Sequence, residues 1–463
     1  MKGITSWNQT PYKPLNTPAL HREFFICQLQ PFANGFSAAY RDSLQGDHTL
    51  LYRVRGKDEW QEIPAETSPV RVTGLQDDTD YEIMIRRNET GETTLIRLLR
   101  TGEPIGTVIN YLHPEDTVYA FSGHCLCSPS IVKLPSGRLI VSNDIYAAQQ
   151  AQNLTLLYES CDNGETWQYL TELYPCFWGK LFLHKGRLYM LGMACEYGDL
   201  LIGVSDDEGH TWNAPVRLFN GTNAREIGPH KAPMPMVSYN GMLCTAIDYG
   251  SWKYNGHESC ILSIDENDDL LCPENWHLTE PLPFDPSWQG LPEGPMKGCL
   301  EGNAVVSPGG ELLNILRLQQ NDAVPNGGKA VALKFADKDS PLEFDQVLNF
   351  PLGANSKFVI LKANSLYIAV GNEYFSKKTP KARTILSAAV SKDLIHWQLA
   401  ERIVDVRDRD CTSVAFQYPD AMLDGNDLLV VSRTAMNGAE NFHNNNMITF
   451  HRLSGFIDQV IHN

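Results

Sequence analysis

The sequence predicts an all-β protein in which a six-bladed β-propeller follows a small β-sandwich. From about residue 104 onward, six segments repeat one design at intervals of about 50 to 70 residues: an apolar strand, a tight polar turn and a second apolar strand. Before that point, residues 17–103 contain short segments in which apolar and polar residues alternate with period two. Strand-only repeats of this length are typical of propeller blades, and short alternating segments are typical of a sandwich.

The N-terminal region divides into a tail, residues 1–16, and the predicted sandwich, residues 17–103. A run that ends at Tyr81, GLQDDTDY, resembles the tyrosine corner of fibronectin type III domains, where the tyrosine hydroxyl ties a strand to the preceding loop. This resemblance implies a spacer or docking module, and we expect no chemistry in it. The strand-like segments are HTLLYRVRG, SPVRVTGL, DYEIMIRRN and TTLIRLLRT.

The predicted propeller spans residues 104–463, and its hairpins have turn residues that suit tight reversals of the chain. Residues 107–121 and 446–455 remain as outer strands, and we expect them to close the last blade by joining the two ends of the domain. A seventh blade assembled from such pieces is the alternative. The six hairpins are SIVKLPSGRLIVSND, KLFLHKGRLYMLGM, PMVSYNGMLCTAIDY, AVVSPGGELLNILRL, KFVILKANSLYIAVGN and AMLDGNDLLVVSRT.

A second motif falls between the hairpins. Residues 160–167 and 205–212 both fit the pattern S-x-D-x-G-x-T-W, and residues 391–397 are a degenerate copy. In such a turn the aspartate accepts backbone N–H bonds, the glycine permits a positive φ, and the tryptophan packs between blades. We therefore expect Trp167 and Trp212 to be buried, with their turns on the face opposite Lys231.

Polar residues recur at the start of each hairpin's first strand and at the end of its second. In a propeller blade these two points open on the same face, so the side chains are predicted to converge in one cup. The cations among them are Lys180, Lys231, Arg317, Lys357 and Arg433, and the carboxylates are Asp144, Asp248, Glu301, Glu373 and Asp420. Cations gathered in an acidic protein favour an anionic ligand group, and carboxylates beside them are the usual acid and base of glycosidic cleavage.

The propeller region resembles the sialidase superfamily, whose Asp-box (BNR) repeat matches the S-x-D-x-G-x-T-W motif. The segments HKAPMP, LEGNAVV and FQYPDAM look like segments of that wider group, and the chain looks closer to its propeller polysaccharide lyases and rhamnosidase-like enzymes than to true neuraminidases. True sialidases carry an arginine at the start of the first blade, where this chain has CSPS at residues 127–130. The lyase-like group carries Ser-His-Asp where this chain has SND at residues 142–144.

The first functional hypothesis is an exo-acting, sialidase-like glycoside hydrolase on oligosaccharides that bear an acidic sugar such as a uronic acid. One alternative is a lyase that cleaves next to a uronate by β-elimination, and another is a non-catalytic glycan-binding propeller. The candidate catalytic residues are Glu301, Asp144, Asp248, Tyr418 and Asp420. The candidate substrate-binding residues are His230, Lys231, Arg317, Lys357, Gln417, Arg433, Trp178 and Asn143.

The net charge and the cysteine content limit the classes of partner and cofactor that we expect for this protein. The formal net charge is −17, which argues against binding to nucleic acid or to anionic membranes. The first residues do not form a secretory signal, and no run approaches 18 apolar residues. The 11 cysteines show no paired CxxC motifs, so we expect reduced thiols, a cytoplasmic location, and neither metal nor cofactor. The oligomeric state stays open.

Overall fold

The computed structural model describes residues 23–222, 226–254, 256–294, 296–320, 328–375 and 382–462. The predicted tail, residues 1–16, lies outside these ranges. The described part of the chain is built almost wholly of β-strands, as predicted, and it ends in one short helix, α1 (Phe456–His462). None of the described helices has the length and apolar character needed to cross a bilayer.

Two facing sheets form the N-terminal sandwich, one with the strand order β1-β2-β5 and the other with the order β4-β3-β6-β7. The Tyr81 hydroxyl accepts a hydrogen bond from the backbone N–H of Gln76 at 3.1 Å, as the tyrosine-corner motif predicts. The likeness to fibronectin type III domains stays a prediction. The strands are β1 (Phe24–Phe32), β2 (Gly35–Asp42), β3 (His48–Val54), β4 (Gln61–Pro64), β5 (Val70–Thr73), β6 (Asp80–Arg87) and β7 (Arg97–Arg100).

One buried side chain joins the sandwich to the propeller. The Gln28 amide nitrogen on β1 donates to the carbonyl oxygens of Ile109, at 2.7 Å, and Trp167, at 3.1 Å. Its amide oxygen accepts from the backbone N–H of Tyr169 at 3.2 Å. Because Ile109 and Tyr169 belong to outer strands of two propeller blades, Gln28 replaces the missing strand neighbour at both edges.

The propeller begins with β8 (Thr107–Tyr111) and continues through the first three blades. Blade one contains β9 (Cys125–Lys133), β10 (Leu139–Tyr146), β11 (Leu154–Ser160) and β12 (Gln168–Leu173). Blade two contains β13 (Phe177–His184), β14 (Arg187–Met193), β15 (Leu200–Ser205) and β16 (Val216–Phe219). Blade three contains β17 (Gly228–His230), β18 (Val237–Tyr239), β19 (Met242–Ser251), β20 (Gly256–Asp265) and β21 (His277–Leu278), with 3-10 turns at Trp252–Tyr254 and Pro273–Asn275.

The remaining three blades complete the ring. Blade four contains β22 (Met296–Val306), β23 (Leu312–Gln320), β24 (Lys329–Phe335) and β25 (Glu343–Asn349). Blade five contains β26 (Val359–Ala363), β27 (Leu366–Asn372), β28 (Ile385–Ser391) and β29 (Gln398–Asp405). Blade six contains β30 (Ala415–Asp424), β31 (Asp427–Ala435), β32 (Met447–Leu453) and, as its outermost strand, β8.

The described sheets therefore form six blades rather than seven, and the two ends of the domain close the ring. Strand β32 pairs antiparallel with β8, with Met447 opposite Tyr111. The prediction that the segments 107–121 and 446–455 supply outer strands of the last blade is confirmed for residues 107–111 and 447–453. This closure ties the start of the propeller to its end.

The aspartate-containing turns follow the third strand of a blade. In blade one, Asp162 accepts hydrogen bonds from the backbone and the hydroxyl of Thr166. Trp167 and Trp212 are 2% and 3% exposed, which confirms their predicted burial. The Trp167 ring packs edge-on against Phe450 of blade six, with the ring centroids 5.4 Å apart. These turns thus stabilise contacts between blades, on the face opposite the start of the first strands.

Candidate functional site

Four of the six inner strands contain the same irregularity. A residue with left-handed backbone angles interrupts the ladder in blades one, two, four and six: Ser128 (φ 50°), Trp178 (φ 53°), Glu301 (φ 56°) and Tyr418 (φ 48°). Each is followed by glycine or proline, and the strand register shifts at each of them. Such bulges redirect a side chain that a regular strand would point elsewhere. All four side chains line one central cavity.

Carboxylates of neighbouring blades hold two of these bulges in place. The Asp144 carboxylate accepts the backbone N–H of Trp178 at 2.7 Å, and the Asp248 carboxylate accepts that of Glu301 at 2.8 Å. Gly302 follows Glu301 because a Cβ there would lie 1.9 Å from the side-chain oxygen of Asn314. A left-handed conformation in a non-glycine residue costs free energy, and these buried hydrogen bonds offset that cost.

The cavity has a volume of about 820 Å³ and opens at the face where the first strands begin. Seven of the sequence-predicted site residues line it, from five of the six blades. Glutamates 196 and 226 and the aromatic residue Trp252 also reach its surface. The predicted residues that line the cavity are Trp178, His230, Glu301, Arg317, Lys357, Tyr418 and Arg433.

Three arginines surround the Tyr418 side chain, and we call Arg317, Arg383 and Arg433 the guanidinium cluster. Their guanidinium carbons lie 5.7, 5.0 and 5.3 Å from the centre of the tyrosine ring. Arg317 also donates to the Tyr418 hydroxyl oxygen at 3.4 Å. Burial by itself raises the pKa of a tyrosine, but the positive charges of the cluster outweigh burial and lower the pKa of Tyr418 below its ordinary value.

Only one member of the guanidinium cluster has a carboxylate partner within the described ranges. The Glu301 carboxylate lies 2.9 Å from the Arg317 Nε, in ion-pair contact but without hydrogen-bond alignment. Arg383 donates to the Asn355 carbonyl oxygen at 2.9 Å, and its Nε has no hydrogen-bond partner in the described part of the chain. Arg433 donates to the Asn445 side-chain oxygen at 2.5 Å. The cluster therefore presents a surplus of positive charge to the cavity.

His230 forms part of the opposite wall. Its Nδ1 lies 3.3 Å from the Asp248 carboxylate, the same oxygen that accepts the Glu301 N–H. Burial lowers the pKa of His230 to about 4, so the imidazole is neutral at neutral pH. When the neutral imidazole carries its proton on Nδ1 and donates it to Asp248, Nε2 has a free lone pair and can accept a proton.

Three lysines lie close to the propeller axis beneath the cavity. Lys231 is fully buried and donates to the carbonyl oxygens of Ala232 and Met234, at 2.7 and 3.5 Å. Burial, with the charges of Lys180 and Lys357 beside it, lowers the pKa of Lys231 to about 7. Of the three, only Lys357 lines the cavity, where it donates to the Pro419 carbonyl oxygen at 2.5 Å.

Six of the predicted site residues lie behind the cavity wall, where they bond to the protein. Besides the two aspartates that hold bulges, Asp420 accepts the backbone N–H of Ile131 at 2.9 Å and the Lys180 ammonium at 2.5 Å. Gln417 donates to Asn445, and Asn143 accepts from Asn110. The six are Asn143, Asp144, Lys231, Asp248, Gln417 and Asp420, and their catalytic or binding roles stay predictions.

Arg383 and His443 line the cavity but are not among the site residues predicted from the sequence. Arg383 lies two residues before the third strand of blade five. The third strand of a blade begins at the face where the second ends, so its first residues are a third source of cavity side chains. His443 lies in the loop between β31 and β32 and has no comparable positional signal.

Residues that favour metals come together outside the cavity lining. Ligand atoms of His124, Cys125 and Glu440 lie within 4.8 Å of one another at the seam between blades one and six. Burial raises the pKa of the Cys125 thiol to about 12, which disfavours the thiolate that a metal requires. We assign these residues no part in the cavity chemistry.

Comparison with known proteins gives matches at the level of structure. No family model matches the sequence, and no curated protein matches it either. A leech intramolecular trans-sialidase, complexed with 2,7-anhydro-Neu5Ac, aligns over 97% of this chain and 94% of its own, with 10% identity and a TM-score of 0.52. The intramolecular trans-sialidase of Ruminococcus gnavus aligns over 77% and 99%, with 12% identity and a TM-score of 0.50.

A third structure, the Penicillium chrysogenum α-L-arabinanase with arabinobiose, covers 76% of this chain and 98% of its own, with 13% identity and a TM-score of 0.48. The alignments with TM-scores of 0.50 and 0.52 establish a shared fold, and identities this low leave the chemistry to the residues themselves. The chain therefore has the fold of the sialidase-like β-propellers.

Proposed function

We propose that this protein is an exo-acting glycoside hydrolase that removes an acidic sugar from the end of an oligosaccharide. The observation that carries the proposal is the guanidinium cluster around Tyr418 in a cavity that Glu301 also lines. Two solved structures that align with TM-scores of 0.50 or above are intramolecular trans-sialidases, which break glycosidic bonds. This likeness supports the reaction class, and the cavity residues support the choice of an acidic sugar.

The anionic group of the sugar is expected to bind Arg383 and Arg433. Arginine binds a carboxylate through two parallel hydrogen bonds, and two such groups without a carboxylate partner in the described ranges favour an anion from outside. Arg317 differs, because its ion pair with Glu301 is already formed. Arg317 therefore links the anion site to the reacting groups.

Tyr418 is the proposed nucleophile. Its oxygen attacks the anomeric carbon and forms a C–O bond while the glycosidic C–O bond breaks, as in the glycosidases that use a tyrosine nucleophile. The phenol proton passes to Glu301, and the leaving oxygen takes a proton from the Glu196 carboxyl group on the facing wall. Glu226 is unsuited to this step, because its hydrogen bond to Lys253 lowers its pKa. Water then attacks the same carbon and releases Tyr418. The lowered pKa of Tyr418 favours the first step.

A mechanism-based probe tests this proposal. A 2-fluoro uronosyl fluoride should leave a covalent glycosyl group on the peptide that contains Tyr418, detected by mass spectrometry after proteolysis. Tyr418→Phe should lose labelling and turnover of uronate-ended oligosaccharides, whereas Tyr146→Phe should lose much less, since burial raises the pKa of Tyr146 to about 12. Equal labelling of both variants, or release of neutral sugars only, would contradict the proposal.

β-Elimination is a second candidate, because His230 offers a neutral imidazole on the wall that faces the guanidinium cluster. In that reaction the cluster neutralises the C5 carboxylate, a base removes the C5 proton, and Tyr418 protonates the leaving oxygen. The product would carry a double bond and absorb in the ultraviolet. New ultraviolet absorbance with each cleaved bond favours the lyase, and reducing ends without it favour the hydrolase. Binding without either product favours a glycan-binding propeller.

A further inference from the structure

The cavity has two chemically different sides. The guanidinium cluster and Tyr418 come from blades four to six, whereas Trp178, His230 and Trp252 come from blades two and three. We call these last three residues the aromatic wall. His230 is neutral there, and the nearby charges of Lys253 and Glu226 pair with each other at 2.6 Å. The aromatic wall is thus a group of uncharged side chains, with the Glu196 carboxyl group beside it, that faces the cationic side of the cavity.

Buried contacts fix the rings of the aromatic wall before any ligand binds. The Trp178 bulge is held by the Asp144 carboxylate, and the next residue is glycine because a Cβ at Gly179 would lie 2.4 Å from the Met190 sulfur. The Trp178 and His230 rings meet edge to face, with centroids 4.3 Å apart. A bulky residue with positive φ is rarely retained without a functional reason.

Trp252 extends the wall toward the cavity mouth. Its ring centroid lies 5.6 Å from that of His230, and its backbone N–H donates to the buried Tyr197 hydroxyl at 3.0 Å. The Trp252 side chain is nevertheless 36% exposed, which leaves apolar surface uncovered inside a polar cavity. Exposed aromatic surface held rigidly in a cavity favours a ligand with an apolar face.

We infer that the aromatic wall is a subsite for the leaving-group sugar and that this sugar is a neutral pyranose. The inference rests on the proposed function, in which the anion site and Tyr418 hold the acidic sugar on the other side of the cavity. The part of the substrate beyond the broken bond then lies against blades two and three. A pyranose ring has a face of C–H groups that packs on an indole and needs no charge partner. The substrate is therefore an acidic sugar linked to a neutral hexose.

Two substrates with the same acidic sugar test this inference. One carries a neutral hexose as leaving group and the other carries only a methyl group. Trp252→Ala should lower kcat/KM for the disaccharide by roughly ten-fold, from the loss of apolar contact, and for the methyl glycoside by less than about two-fold. Trp60→Ala, on the sandwich beside Arg53, is the matched control and should change neither value. An equal loss on both substrates would overturn the subsite.

Binding measurements separate this inference from the proposed function. In the Tyr418→Phe background, calorimetry should give tighter binding of the disaccharide than of the methyl glycoside, and Trp252→Ala should remove that difference. If the wild-type protein cleaves neither substrate, the proposed reaction fails while the difference in affinity still tests the subsite. Equal affinities for the two compounds overturn the subsite whether or not cleavage occurs.

Discussion

The two faces of the propeller use one interaction, an aspartate that accepts a backbone N–H, in opposite ways. On the face with the aspartate-containing turns, Asp207 bonds to the N–H of Thr211, four residues away, at 2.8 Å. On the cavity face, Asp248 bonds to the N–H of Glu301, 53 residues away, at 2.8 Å. The first kind of bond shapes a turn, and the second positions a cavity residue from the neighbouring blade.

The surroundings change the charge of these aspartates as well. Hydrogen bonds from Thr211 outweigh partial burial and lower the pKa of Asp207, so it stays ionised. Complete burial raises the pKa of Asp144 to about 8 and that of Asp248 to about 6. The local bonds at the surface therefore stabilise the fold without burying a charge. The buried aspartates of the cavity face cost free energy through the loss of hydration, and we attribute their presence to the positioning of cavity residues.

Replacing one aspartate on each face tests this contrast and should have the largest effect. Asp248→Ala frees the Glu301 backbone and removes the partner of His230, so kcat/KM for the acidic substrate should fall roughly a hundred-fold. Asp207→Ala should lower the free energy of unfolding by about 1–3 kcal/mol and leave kcat/KM unchanged. Kinetics and thermal melting of both variants provide the comparison.

The Asp248→Asn variant distinguishes a role in positioning Glu301 from a role in the stability of the fold. The asparagine side-chain oxygen still accepts the Glu301 N–H, so this variant should recover much of the activity that Asp248→Ala loses. If Asp248→Ala melts earlier but keeps its kcat/KM, then the buried bond is structural, and the contrast between the two faces disappears.

The second test keeps the positive charge of an arginine and changes the geometry of its hydrogen-bond donors. Arg433→Lys retains a cation on the cavity face but loses the two parallel bonds of a guanidinium, so kcat/KM should fall about ten- to hundred-fold. Arg452→Lys is the matched change on the other face, where Arg452 pairs with Asp427 at 2.5 Å. That variant should leave kcat/KM unchanged. Equal kinetics for the two variants would remove Arg433 from the anion site.

The same contrast explains what the sequence alone could predict. In the turns at 160–167 and 205–212, the groups that hydrogen-bond to one another all lie within eight residues, so the sequence motif alone predicts the structure. The six hairpins likewise predict the number of blades. Cavity residues depend on partners in other blades. Their positions at strand ends predicted that Glu301 and Tyr418 would line the cavity, but Asp144 and Asp248, at similar positions, turn away from it and hold bulges. Arg383 was missed because only the first and second strands were considered.

The bulges do leave a signal in the sequence. Each left-handed residue precedes a glycine or a proline inside an otherwise apolar strand, as in Trp-Gly at 178–179 and Tyr-Pro at 418–419. In a regular inner strand both residue types are unfavourable, so their presence at equivalent positions in four blades marks a shared interruption. Which side chain enters the cavity follows from that position.

The last expected effect concerns stability rather than activity and involves Lys231, the buried lysine of the cavity face. Burial and the like charges of Lys180 and Lys357 lower its pKa to about 7, and the carboxylates Asp248 and Asp420 oppose this shift only in part. An unfolded lysine has a pKa near 10.4. Between these two values the unfolded chain binds more protons than the folded protein, so stability must rise with pH across that window.

Lys231→Met removes this linkage. The free energy of unfolding of the wild-type protein should rise between about pH 7 and pH 10 by at most about 1.4 kcal/mol per pH unit relative to the variant, and the difference should be flat below pH 7. Lys334→Met is the control, because ion pairs with Glu311 and Asp345 raise the pKa of that half-buried lysine, and its removal should leave the rise intact. Denaturant unfolding at several pH values measures the difference. If the wild-type and Lys231→Met curves run parallel from pH 6 to pH 10, Lys231 stays charged in the folded protein, and the cavity face carries its buried charge through closer pairing with Asp248 and Asp420.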